Sequence, residues 1–270
     1  MTAPPRILAI AGSDSSGGAG VQADIKTITV LGGYAMTAIT AVTAQNSVGV
    51  QGIAPMSGEM VSLQIAACLD DIGVDAIKIG MLHDSEIIDA VASALGKAGK
   101  TPLVLDPVMI ATSGATLIAQ DAIRAMRERL FARAMLITPN LPELQLLTGC
   151  GELTDTDQIN AAALELAQDT GASILAKGGH TDDARIIDIL VQPDGSSIRF
   201  DHPRIDTPHT HGTGCTLSSA IATLLGHGQT LAHSVRLARN FVHRAIAAAP
   251  GFGEGNGPLG HGQVALQGKS

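Results

Sequence analysis

The feature that most limits what this chain can become is its regular alternation of short apolar runs with longer amphipathic stretches. RILAIAG (6–12), AITAVTAQ (38–45), DAIKIGM (75–81), PLVLDPV (102–108), AMLITPN (134–140) and SILAKGG (173–179) have the length and content of strands. Several are apolar throughout, which suits strands covered on both faces. Between them, helical periodicity predicts helices near 18–31, 58–72, 84–98, 119–132, 141–148 and 155–170. Strands that alternate with helices join through right-handed crossovers into a mostly parallel sheet. One stretch departs from the pattern: ARIIDILVQ, PDG and SSIRFDH read as a peripheral β-hairpin over 185–202. Two further helices come next, near 214–226 and 230–248, and then a glycine-rich tail. No linker or repeat cuts the chain, so residues 1–270 are expected to form a single α/β domain. A chain of this length buries about 70–75% of its unfolded surface and needs no disulfide or metal to fold.

Composition removes several function classes. Seventeen basic against 25 acidic residues give a net charge of −8, the wrong sign for reading a phosphate backbone. One Tyr, four Phe and no Trp leave too few rings for a single-strand stacking platform, so no nucleic-acid partner is expected. Cys68, Cys150 and Cys215 form no CxxC pair and are odd in number, which points to a reduced, cytoplasmic chain. No window is apolar enough to span a membrane, and the run from Ile7 to Gly12 is too short for a signal-peptide core. If this protein binds an anion, it must do so with backbone groups and a few placed cations, against its own net field.

In open α/β sheets ligands bind beyond the carboxyl ends of the strands. Those ends carry Gly12-Ser13-Asp14, Gln45-Asn46, Gly80-Met81, Asp106-Pro107, Thr138-Pro139-Asn140 and Lys177-Gly178-Gly179, though turn chemistry alone also gathers such residues there. The cluster GSDSSGGAG (12–20) is neither a P-loop, since Gly18 and Ala19 stand where Lys and Ser/Thr are needed, nor a dinucleotide fingerprint, since no acidic residue lies between Asp24 and Glu59. It remains a glycine-rich turn into a helix, with Asp24 about one turn inside. In HTHGTGCTLSSAIATLLG (209–226), Gly212-Thr213-Gly214 precedes an apolar helix whose free N–H groups form an anion cradle. Cys215, in its first turn, reads either as a thiol made acidic by the helix start or as a small buried apolar residue. His209 and His211 have HxH spacing without further ligands and read as a loop pair. Asp106 and Glu143 suit Mg²⁺, yet Asn140 and Glu143 equally fit a helix capping box. Lys177 alone would pass for a solvated lysine.

Together these residues resemble the ribokinase-like superfamily, and within it the hydroxymethylpyrimidine/phosphomethylpyrimidine kinases. The matching segments run from end to end: AGSDSSGGAGVQADIKT (11–27), TAQNSVGVQ (43–51), KIGML (78–82), LDPVM (105–109), ITPNLPE (137–143), KGGH (177–180), HGTGC (211–215) and GEGNGP (253–258). Gly212-Thr213-Gly214-Cys215 stands where the wider superfamily has Gly-Ala-Gly-Asp, a departure shared by pyrimidine kinases and their pyridoxal-phosphorylating relatives. The resemblance implies a three-layer α/β/α fold and MgATP-dependent phosphorylation of the hydroxymethylpyrimidine and then of its monophosphate, for thiamine biosynthesis. It places Gly12, Asp24, Gln45, Met81, Val108 and Cys215 at the pyrimidine, with Gln45 and Asp24 meeting the ring nitrogen and exocyclic amine. It places Asn140, Lys177, Thr213 and Gly214 at the ATP, and Asp106 and Glu143 at the Mg²⁺. Cys215 would accept the hydroxyl proton beside the Gly212–Gly214 anion loop, its pKa lowered by the helix. A homodimer is implied, and residues 109–119 are expected to close over the substrate. A pyridoxine/pyridoxal kinase and a non-catalytic pyrimidine-binding regulator are the competing readings; Gln45 favours the aminopyrimidine.

Overall fold

The computed structural model describes residues 3–109, 120–179 and 184–267. The six apolar runs are strands: β1 (Arg6–Asp14), β2 (Tyr34–Gln45), β4 (Ala76–Ile79), β5 (Leu103–Leu105), β6 (Leu136–Ile137) and β7 (Ser173–Ala176). With β3 (Val50–Pro55), β8 (Arg185–Val191) and β9 (Ser197–Pro203) they form one nine-stranded sheet in the order β3-β2-β1-β4-β5-β6-β7-β8-β9. The pairings from β2 through β7 are parallel. The hairpin β8–β9 joins β7 antiparallel, as its turn sequence predicts. Strand β3, antiparallel to β2, was not expected.

The helices are α1 (Gly20–Val30), α2 (Gly58–Ala67), α3 (Ser85–Ala94), α4 (Gln120–Arg129), α5 (Leu141–Thr148), α6 (Thr156–Thr170), α7 (Thr213–Gly226), α8 (Leu231–Ala247) and α9 (His261–Gln267). The predicted spans of α2 and α3 are completed by a π turn over Cys68–Ile72 and a 3₁₀ turn over Leu95–Ala98.

Strand alternation assigns each side chain to a core. Leu8, Ile10, Ile77, Ile79, Leu103 and Leu105 face one layer, where α2 to α6 supply residues such as Val61, Ile88, Met126, Leu144 and Leu166. Ile7, Ala9, Ala76, Val104, Leu136 and Leu175 face the other, against Ile28 of α1, Ile221 of α7, Phe241 of α8 and Val264 of α9. Each fully buried Ile or Leu contributes about 1.5–3 kcal/mol, so two filled faces hold the sheet between its helices. The result is the expected α/β/α sandwich. Two strands shift register near their carboxyl ends: β1 between Ala11 and Ser13, and β2 between Ala44 and Gln45. Bulges of this kind re-aim side chains at the ends of strands.

Candidate active site

The carboxyl ends of the parallel strands open into a cleft of about 760 Å³. Every site residue proposed from the sequence lines it except Asp24. One end is apolar, formed by Gly12, Met81 and Val108, with Gln45 beside them. A methyl group on Gly12 would lie 3.2 Å from Met81 Sδ, so glycine lets the β1 bulge pack directly on that side chain.

Asp24 corrects the sequence reading. It is fully buried, and both its oxygens accept from Lys78 Nζ at 2.9 Å while Ser219 Oγ donates to Oδ1 at 2.6 Å. Lys78 stands in β4 on the face turned towards α1 and α7, and its buried ammonium takes the nearest carboxylate. Burial opposes the Lys78 charge, but Asp24 outweighs it and holds the pKa above the ordinary lysine value. Asp24 is therefore engaged by Lys78 and Ser219 beneath the site and does not itself line the cleft.

At the opposite end, Asp106 Oδ1 accepts from Lys177 Nζ at 2.9 Å and from Thr138 Oγ1 at 3.0 Å. Glu143 Oε2 lies 3.9 Å from the same Nζ. The capping box is real: Asn140 Oδ1 accepts from Glu143 N–H, and Glu143 Oε2 from Asn140 N–H, both at 2.8 Å. Cap and site coincide, because the box holds the Glu143 carboxylate at the mouth of the cleft. Burial pushes the Glu143 carboxyl up to about 7, against the pull of Lys177 and with a further push from Asp106. Lys177 is no solvated lysine; its side chain is 15% exposed, and burial of its ammonium is offset by Asp106 and Glu143, which hold its pKa above the usual value.

Helix α7 closes the site. Gly212 is its N-cap, at φ +86°, and a Cβ there would run into the Gly18 carbonyl, so this position needs glycine on both counts. A Cβ on Gly214 would sit 3.3 Å from Asp106 Oδ2 and 3.5 Å from Lys177 Nζ, so the helix start approaches the charged cluster as closely as backbone can. Cys215 lines the cleft, but its pKa moves opposite to the expectation. Burial, with Asp24 and Asp106, pushes it up to about 11, more than Lys78 and the Gly20 N–H draw it down. The helix start does not make it a thiolate at neutral pH.

Sequence reasoning missed Asp14 and His211, whose carboxylate Oδ2 and ring Nε2 meet at 2.9 Å inside the cleft. The HxH spacing had singled out His211, but its partner lies 197 positions away. His209 and His211 belong to no group of three or more His, Cys, Asp or Glu among the described residues. The cleft extends past Asp188, His202 and Arg204 of the hairpin region to Val242 and Ile246 of α8. His202 Nδ1 accepts from Arg239 at 2.7 Å, and burial plus that charge pushes its pKa down to about 4. Of the segment expected to close the site, Met109 is buried and 110–119 lie outside the described residues.

A family model described as phosphomethylpyrimidine kinase matches residues 14–260, which takes in the first glycine-rich loop from Asp14 on, the loop before α7 and the carboxylate cluster. The chain belongs to the phosphomethylpyrimidine kinase family. It is thus a phosphotransferase, and its sandwich is the ribokinase-like one. It is 46% identical over 261 residues to the hydroxymethylpyrimidine/phosphomethylpyrimidine kinase of Streptomyces coelicolor, covering 96% of this chain and 95% of that one. It is 44% identical over 256 residues to the thiamine biosynthesis bifunctional protein ThiED of Geobacter sulfurreducens; the match takes in 94% of this chain but spans about half of that relative, 52% of its length. Among solved structures, the ADP complex of Bacillus subtilis pyridoxal kinase superposes with a TM-score of 0.89 at 34% identity, covering 97% of this chain and 99% of that one.

Proposed function

We propose that this chain, a single domain, transfers a phosphoryl group from ATP to 4-amino-5-hydroxymethyl-2-methylpyrimidine and then to the resulting monophosphate, serving thiamine biosynthesis in the cytoplasm. The observation that carries the reading is one cleft with an apolar, Gln45-edged end beside Cys215 and a carboxylate–lysine cluster under the start of α7. The pyrimidine ring rests on Met81, Val108 and the Gly12 backbone, and Gln45 reads its polar edge. The Gly212–Gly214 N–H groups hold charge that develops on the transferred group. Asn140 and Lys177 bind ATP oxygens, and Lys177 supplies local positive charge.

Asp106 and Glu143 fit a Mg²⁺ ion. Both are carboxylates, Asp106 Oδ2 is engaged only by a long 3.5 Å contact from Ser218 Oγ among the described residues, and glycine at 214 keeps out a Cβ that would sit 3.3 Å from that oxygen. Mg²⁺ prefers one or two carboxylates, with phosphates and waters completing its shell. Asp106 and Glu143 would hold the ion, which would supply positive charge against that of the phosphates. Cys215, in its thiolate form, takes the hydroxyl proton as the substrate oxygen bonds to the γ-phosphorus and the bond from that phosphorus to the ADP oxygen breaks. A homodimer is inferred, with the free edge of β9 offering a place for two copies to meet.

The test is ADP release with the hydroxymethylpyrimidine, its monophosphate and pyridoxal assayed side by side. Turnover of the first two, with pyridoxal slower, is expected. The 0.89 TM-score to a pyridoxal kinase supports the second reading, that of a pyridoxal kinase, and faster pyridoxal turnover would establish it.

A further inference from the structure

Asp14 ends β1 and His211 lies just before α7, and the proposed phosphoryl transfer uses neither. Both are almost fully buried in the wall of the cleft, at 3% and 5% exposure. His211 Nε2 lies 2.9 Å from Asp14 Oδ2 and 3.2 Å from the end of the Gln45 amide that carries Nε2. Asp14 is an acceptor throughout. Ser16 N–H and O–H donate to Oδ1 at 2.8 Å, and Ala19 N–H donates to Oδ2 at 2.7 Å. Burial works against its charge, but these bonds and the one from His211 hold its pKa below the usual carboxylate value.

An ionised carboxylate has no proton to give, so the imidazole carries one on Nε2 and donates it. That nitrogen then has no lone pair, so the Gln45 atom facing it cannot donate to it and can only share the N–H as a second acceptor. Thr43 imposes the same condition from the other side. Its hydroxyl lies 3.0 Å from the Ser13 carbonyl, which can only accept, so its single proton is engaged there. The other end of the Gln45 amide, 3.3 Å from Thr43 Oγ1, must therefore donate. The two ends of an amide are told apart by their partners. Both neighbours require one orientation, with the oxygen towards His211 and the nitrogen towards Thr43.

We propose that the Asp14–His211 pair fixes the hydrogen-bond polarity of Gln45 and thereby selects a 4-aminopyrimidine over its 4-oxo counterpart. The proposal rests on the reading of Gln45 as the residue that meets the pyrimidine edge. One oxygen lone pair and one N–H of the amide remain for the ligand. An aminopyrimidine offers an amine N–H beside a ring-nitrogen lone pair, the complement of that pair, as adenine does for a glutamine. The 4-oxo compound offers the reverse: a carbonyl beside a ring N–H. An unconstrained glutamine turns over and serves either. This one cannot turn without placing its NH₂ against the His211 N–H and its oxygen against a Thr43 hydroxyl already engaged, which leaves buried groups unpaired. The ring itself is fixed: a Cβ at Gly18 would collide with His211 Cδ2, so the imidazole packs on bare backbone. Asp14 and His211 are positioning residues.

The experiment compares kcat/KM of the full chain for the 4-amino substrate and its 4-oxo analogue. Wild type should prefer the amino compound by at least about ten-fold, the scale of one good bidentate pair. Asp14→Asn and His211→Phe should collapse that ratio, chiefly by raising KM for the amino compound. His211→Gln, whose amide nitrogen falls near the position of Nε2, should retain it. If Asp14→Asn disturbs the 14–19 turn, the contrast between His211→Phe and His211→Gln still decides. An unchanged ratio in His211→Phe, both substrates suffering equally, overturns the proposal. Gln45→Ala separates the two layers: if it leaves KM and the ratio untouched, the reading of Gln45 is wrong. If it abolishes the ratio while His211→Phe does not, only the orientation by Asp14–His211 fails.

Discussion

Cys215 shows how several charges act at once on one buried group. The Gly20 N–H and Lys78 favour the thiolate, yet burial dominates and the pKa stands at about 11. At neutral pH the side chain is mostly a thiol, so only the small thiolate fraction can take the hydroxyl proton, as the phosphoryl group draws charge from the attacking oxygen. Phosphoryl transfer tolerates this, because its loose transition state depends more on positioning and charge stabilisation than on a strong base. Cys215→Ala should lower kcat by about 10²–10⁴-fold, the usual contribution of a positioned base, and change KM only a few-fold. Steady-state kinetics separate the two; an unaltered kcat removes Cys215 from the chemistry. If the thiolate is required, kcat in the wild type rises from pH 7 to 9 without levelling, since the deprotonated fraction is still growing well below its pKa of about 11.

At the scale of elements, legibility followed burial. Strands covered on both faces must be apolar throughout, so β1, β4, β5 and β7 stood out in the sequence. Strand β3 did not, because VQGIAP lies at the sheet edge and is mostly exposed, which leaves no pattern to read. Helix α9 was hidden in a glycine-rich tail, and a tertiary contact, His261 against Thr216, holds it in place. The site was legible wherever backbone geometry demanded glycine or a strand end presented a polar group. It was not legible where a side chain's direction depended on a distant partner. The resemblance placed Asp24 at the ligand, whereas the residue that tells of its partner is Lys78, a cation inside the apolar run DAIKIGM that needs a buried counter-ion. That pair joins β4 to α1 and, through Ser219, to α7. Lys78→Met leaves a buried carboxylate unpaired and should cost about 3–5 kcal/mol in urea unfolding. The double variant Lys78→Met/Asp24→Leu should recover most of that loss. A single variant as stable as wild type would show that the pair is not what holds these elements together.

Across the whole molecule, a net charge of −8 leaves the anion site to a few placed groups. Lys177 and the N–H groups opening α7 stand at one end of the cleft, where Lys177 is already shared between Asp106 and Glu143 and Lys78 beneath is paired with Asp24. Two histidines with lowered pKa values, one in α9 and one in β9, make the fold sensitive to acid. His261, at the start of α9, is 3% exposed, and its Nε2 lies 2.9 Å from Thr216 Oγ1. Burial, with a smaller push from Lys26, lowers its pKa to about 4. His202, between β9 and α8, is lowered to about 4 as well. The unfolded chain has both near the free value of about 6.5. Between those limits the unfolded state binds protons that the folded state refuses, so stability falls as pH drops from about 6.5 to about 4. Below that window both states are protonated at these sites and the contribution is constant. Carboxylates held low, such as Asp14, add their loss only further down, as pH falls through their folded pKa values. Glu143, raised to about 7, binds its proton in the folded state first and works against this loss, so thermal melts from pH 7 to 4.5 should show a decline in Tm smaller than the two histidines alone would give. His261→Gln, which can still bond Thr216 but does not titrate, should flatten part of that slope while leaving the neutral-pH Tm within a few degrees. An equal slope in wild type and variant would assign the acid loss to groups other than His261.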